Sequence, residues 1–74
     1  QMIVSIMNHQ YQMSRLQYKQ ILRMAAEQVP RGVYAIEKNG YAELRNDTVY
    51  SKTKLKELIR GFKQSGFKVY SNGL

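Results

Sequence analysis

Seventy-four residues make one domain at most, and a chain this short buries roughly 60% of the surface it exposes when unfolded. With 43% hydrophobic and 23% charged residues it has the composition of a globular unit, not of a disordered tail. It has no Cys and no long apolar run, which excludes disulfide staples, thiolate metal sites and a membrane-spanning helix, and fits a reducing cytoplasm.

The elements follow in chain order. Gln1 reads as a processed or recombinant start, with Met2 the natural beginning of a domain over 2–71 and a tail over 72–74. The opening lacks a basic stretch ahead of its apolar residues, so it is not a secretory signal. Met2 to Met7 is rich in β-branched residues and reads as a strand. Asn8 to Gln12 is polar and reads as loop. Ser14 and Gln17 have capping-box spacing and open a helix, with Met13 placed to staple onto Tyr18. Tyr18, Ile21, Leu22, Ala25, Ala26 and Val29 form its apolar face. Pro30 ends it, because its ring disfavours helical geometry at Val29. Arg31-Gly32 is a turn.

Val33–Glu37 and Tyr41–Arg45 are strand-like runs around Asn39-Gly40, whose residues supply the positive φ of a type I′ turn. Asn46 to Thr48 is a turn or loop; the alternative is a turn at Asn46-Asp47 followed by Thr48–Tyr50 as a third strand of a meander. Ser51 caps a second helix, with Tyr50 set to staple onto Leu55 and with Leu55, Leu58, Ile59 and Phe62 inward. Gly66 suits its left-handed C-terminal position. Phe67–Ser71 is the last strand. The order β-α-β-β-α-β predicts an α+β, split βαβ (ferredoxin-like) sandwich, a four-stranded antiparallel sheet with two helices on one face.

A two-residue Asn39-Gly40 loop pairs Lys38 with Tyr41, Ile36 with Glu43 and Tyr34 with Arg45. Val33, Ala35, Glu37, Ala42 and Leu44 then share one face, suited to helices. Tyr34, Ile36, Lys38, Tyr41, Glu43 and Arg45 share the other. With Lys68 and Tyr70 outward on the last strand, an open face of Tyr34, Tyr41, Tyr70, Arg45 and Lys68 follows. Aromatics interleaved with bases are how single-stranded nucleic acid is held. Tyrosine also decorates ordinary exposed sheets.

Net charge is +7, and it is concentrated. In 51–74, Lys52, Lys54, Lys56, Arg60, Lys63 and Lys68 face a single acid, Glu57. Lys52, Lys56, Arg60 and Lys63 fall within about 80° of arc on the second helix at about 100° per residue. Arg15, Lys19 and Arg23 make a shorter stripe on the first, where Glu27 can pair with Arg23 at i,i+4. Phosphates are natural ligands for such stripes, with Lys as a point charge and Arg as a fork. The bland alternative is a solvated flank whose stems cover the core edge.

Other chemistry finds no footing. His9 is the lone histidine, with few acids nearby, so a metal site is not expected. No serine lies in a nucleophile motif, the glycines form no phosphate loop, and Glu37 and Glu43 fall on opposite faces. Neither an enzyme nor a cofactor is expected. The second helix lacks the bulky residues of a membrane-surface helix.

The segment YAELRNDTVYSKTKLKELIRGFKQSGFKVYS resembles the second half of sporulation-related repeat (SPOR) domains: a strand, a Ser-initiated helix, then Gly plus an aromatic into a last strand. The resemblance implies the same β-α-β-β-α-β fold; those domains bind bare peptidoglycan strands. MIVSIMNHQ departs from that pattern, lacking its Gln-Gly-aromatic motif. The Lys- and Tyr-rich, Cys-free texture is similar to that of small phage and mobile-element proteins of Gram-positive bacteria.

The expected function is a small cytoplasmic binding module for nucleic acid. Lys52, Lys56, Arg60, Lys63 and Lys68, with Arg15, Lys19 and Arg45, would take phosphates, and Tyr34, Tyr41 and Tyr70 would stack bases. The rival reading is a phage or mobile-element accessory protein that binds or inhibits an acidic host protein. The tyrosine face also allows a homodimer.

Overall fold

The computed structural model describes residues 1–28 and 32–71. The chain runs β1 (Met2–Ile6), β2 (His9–Met13), α1 (Arg15–Gln28), β3 (Val33–Lys38), β4 (Tyr41–Asn46), α2 (Lys52–Gln64) and β5 (Lys68–Ser71). Local chemistry sets most of these bounds. Ser14 Oγ accepts the Gln17 N–H at 3.2 Å, and Ser51 Oγ accepts the Lys54 N–H at 3.2 Å, so a serine caps each helix. At the end of α2, Gly66 has φ 91. Its N–H bonds Lys63 O, and the Phe67 N–H bonds Phe62 O at 3.0 Å. That is a Schellman motif, sealed by Phe62 and Phe67 with ring centroids 5.6 Å apart.

The β3–β4 hairpin has the expected register: Lys38 opposite Tyr41, Ile36 opposite Glu43 and Tyr34 opposite Arg45. Asn39 and Gly40 both take positive φ, as a type I′ turn demands. Thr48–Tyr50 adds no strand; the Tyr50 N–H closes a turn onto Asp47 O. The expected helix stop at Val29-Pro30, the Arg31 side of the next turn and the tail over 72–74 lie outside the described residues.

Three expectations are corrected. The sheet has five strands, because residues 9–13 form β2 rather than loop. Met7 and Asn8 take φ 50 and 69 and turn the chain tightly back onto β1. Second, the sheet is mixed, in the order β2-β1-β4-β3-β5, with β1 parallel to β4. The place beside β1 that a ferredoxin-like fold gives its last strand is taken by β2, and β5 pairs with β3 instead. Third, the helices lie on opposite faces.

Strand alternation makes that last point plain. Ala35 and Ala42 cluster with Met2, Val4, Met13 and Tyr18 of α1. Their neighbours Tyr34 and Ile36, which point the other way, cluster with Leu55 and Ile59 of α2. Strand β3 therefore carries helices on both sides and is buried over five consecutive residues, Val33–Glu37. Helix α2 sits over β3 and β5, since Phe67 and Val69 complete its cluster. The β2–β1–β4 part of that face is left more open, with Ile3 41% exposed.

Candidate nucleic-acid interface

The tyrosine platform does not form. Tyr34 is fully buried under α2, and its hydroxyl donates to Asp47 Oδ2 at 2.6 Å. Burial, with the Asp47 bond, pushes its phenol up. Tyr70 packs edge-on against Tyr18 of α1, with centroids 6.4 Å apart. Tyr41 is half-buried beside Ile3, two strands from β5. The expectation failed because α2 covers Tyr34, while Tyr70, opposite Ala35, turns to the α1 face and Tyr41 is left apart from both.

Two candidate cations are held by carboxylates. Arg15 makes a two-pronged bond to Glu37, 3.1 and 3.0 Å. Arg45 lies between Glu43 at 3.8 Å and Asp47 at 3.5 Å, and its guanidinium sits near the rings of Tyr34 and Phe62. Both positions belong to the architecture of the fold.

The remaining cations converge. Arg23 lines a hollow of about 240 Å³ on the α1 face, together with Leu22, Ala26, Tyr70 and Ser71. Lys56, Arg60 and Lys63 line a groove of about 400 Å³ on the α2 face, with Ile59 and Ser71. Ser71 stands at both, so the basic flanks of the two helices border the same sheet edge from opposite sides. Lys19 precedes Arg23 by four residues and Lys52 precedes Lys56 by four, which places each on its neighbour's flank. Lys68 is exposed on β5 itself, its ammonium 5.9 Å from the Tyr70 ring centre.

Among the described residues, none of these seven cations is in an ion pair. The Arg23–Glu27 pairing expected from the sequence is not formed, so Arg23 joins the set from which that spacing had discounted it. The acids that are paired, Glu37, Glu43 and Asp47, sit on or just after β3 and β4. The resulting asymmetry is a strip along β5 in which these seven cations outnumber the acids that border it, Glu27 four residues after Arg23 and Glu37 across the strands from Lys68, which draws anions and repels cations.

No group of three or more His, Asp or Glu side chains is gathered among the described residues, and no helix there is long and apolar enough to cross a membrane. No protein-family model matches this chain, and neither does a curated protein or a solved structure.

Proposed function

We propose that this chain is a small non-enzymatic module that binds nucleic acid through phosphate contacts along the β5 edge. Lys19, Arg23, Lys52, Lys56, Arg60, Lys63 and Lys68 are the contact residues. The observation that carries the reading is the meeting of two helix flanks at Ser71, each supplying cations with no carboxylate partner among the described residues. Phosphate contacts position a polyanion without reading its sequence. With Tyr34 buried under α2 and Tyr70 edge-on against Tyr18, base stacking is not part of the proposal, and binding is expected to depend weakly on sequence.

A salt titration of fluorescent oligonucleotide binding tests it. If about four phosphates are neutralised, log K falls with log salt at a slope of roughly −3 to −4. Affinity that ignores salt, or no binding at low salt, removes the reading. The same strip would steer the chain onto an acidic protein. Pull-downs with and without nuclease separate the two, since nucleic-acid partners vanish on digestion.

A further inference from the structure

Granted that the strip takes phosphates, a reading on which the following rests, we propose that its ligand is duplex DNA. The β5 edge straddles a groove, so that the α1 side holds one phosphate row and the α2 side holds the other. Strand alternation sorts the seven cations into two rows. Lys68 lies opposite Glu37 and Tyr70 lies opposite Ala35, and Ala35 and Tyr70 belong to the α1 cluster. Lys68 therefore points to the α1 face, the side that carries Lys19 and Arg23. Lys52, Lys56, Arg60 and Lys63 stand on the other side with α2, whose Leu55 and Ile59 pack onto Tyr34 and Ile36. All seven are exposed.

The sheet itself separates the rows, and a sheet layer with its side chains is about 10 Å thick. A single strand lying along one row leaves the other on the far side of β5. A duplex offers two phosphate rows with a groove between them. The major groove of B-form DNA, about 12 Å wide, matches one strand layer, whereas the major groove of an RNA duplex is deep and narrow. Strand β5 ends the sheet, and Ser71 lines the hollows on both of its faces, so the edge stands between the rows. From Lys52 to Lys63 the α2 row extends about 16 Å at 1.5 Å per residue, roughly five base-pair steps.

The rings that would favour a single strand are engaged or remote. Single strands are held largely by stacking of bases on aromatic side chains. Tyr34 is buried and Tyr70 lies edge-on to Tyr18. Tyr11 is exposed, but on β2 at the opposite edge of the sheet. Tyr50, two residues before Lys52, is 42% exposed; it is one ring and makes no platform.

Salt titrations with a DNA hairpin duplex, its separate single strands and an RNA hairpin of the same length test this. The DNA duplex is expected to bind about tenfold tighter than either single strand at equal salt, with a steeper slope. Arg23→Ala with Lys68→Ala, on the α1 side, should flatten the duplex slope by about two, and so should Lys56→Ala with Arg60→Ala on the α2 side. Both pairs are exposed, so their thermal melts should stay near that of the unaltered chain. Tyr50→Ala should leave duplex affinity where it was. Single strands bound as tightly as the duplex overturn the proposal, as does an RNA hairpin bound more tightly than DNA, or a duplex slope indifferent to the α1-side pair. In each of those cases salt-dependent binding survives, and with it the phosphate reading. No salt-dependent binding to any of the three probes removes both.

Discussion

Arg15, the first residue of α1, grips Glu37 near the end of β3 with two parallel bonds of 3.1 and 3.0 Å. The Glu37 side chain is 9% exposed and that of Arg15 is 48% exposed. The pair anchors the start of α1 to the sheet, and it satisfies a carboxylate that would otherwise be shielded from water without a partner. Arg15→Ala is expected to lower the thermal midpoint clearly more than Lys19→Ala, one turn on. In a double-mutant cycle with Glu37→Gln, most of the Arg15 effect should disappear, because the buried charge is gone. The same Arg15→Ala protein should bind oligonucleotide nearly as well as the original, since Arg15 is already neutralised.

Tyr34→Phe removes the 2.6 Å bond to Asp47 and leaves Arg45 as the partner of that carboxylate. The expected loss is about 1.5 kcal/mol, the scale of a hydrogen bond to a charged group. In a domain this small, that is roughly 6–12 °C in thermal midpoint. Calorimetry of the two proteins at neutral pH measures it.

Alkali should unfold the chain through its buried phenols. Burial, with the nearby Glu37 charge, pushes Tyr18 up to about 12 from 10.0, and Tyr34 is shifted in the same direction. A raised phenol stays neutral in the fold while the unfolded chain ionises. The stabilisation is therefore complete below pH 10 and is lost as pH rises through 10 toward 12. Stability should fall there by up to ~1.4 kcal/mol per pH unit for each of the two tyrosines. Urea midpoints taken from neutral pH to pH 11 test this, and Tyr34→Phe should flatten the descent.

Glycines divide by location. Gly32 has φ +87, and a Cβ there would lie 2.8 Å from Thr48 Cα and 2.9 Å from its backbone N. Gly32 O also accepts the Asp47 N–H at 2.9 Å. Gly32→Ala is expected to destabilise sharply, since neither the backbone nor Thr48 can yield cheaply. Gly61 lies inside α2, where an added Cβ would meet nothing within 4 Å. Gly61→Ala should stabilise by about 0.5–1 kcal/mol through helix propensity and chain entropy. Denaturant midpoints of the two variants should move in opposite directions.

On α2, Arg60→Ala and Lys56→Ala should each reduce the salt slope of oligonucleotide binding by about one. Lys54→Ala, on the other flank beside Glu57 and Leu58, should leave the slope where it was. Fluorescence titrations at four or five salt concentrations separate the cases. Equal effects from all three would mean a diffuse field rather than an oriented strip.

Much of the local structure was legible along the chain. Ser14 and Ser51 caps, the Asn39-Gly40 turn with its register and the Gly66 terminus each depend on a few neighbouring residues, and all are found. Strand β2 was hidden because an exposed edge strand has little hydrophobic pattern to show. Only Met13 in it is buried, and Met7, at positive φ in the turn, is no turn signal. In the candidate site, the α2 stripe was visible from spacing. Arg23 was discounted for a partner it does not take, and Arg15 and Arg45 were counted although Glu37 and Asp47 hold them. Ion pairing across sequence separations of this kind leaves no periodic trace.

Residue order alone is enough to set where helices and turns begin and end, which hairpin residues share a face, and that charge gathers in the last third. These are short-range matters of capping, φ preference and alternation. Packing in three dimensions chose which face each helix covers, which edge β5 joins and therefore which cations stand together. Either side of β3 could have been left to solvent. Only the packing of Tyr34 and Ile36 against Leu55 and Ile59, opposite Ala35 against Tyr18, put one helix on each side and brought their basic flanks to a common edge.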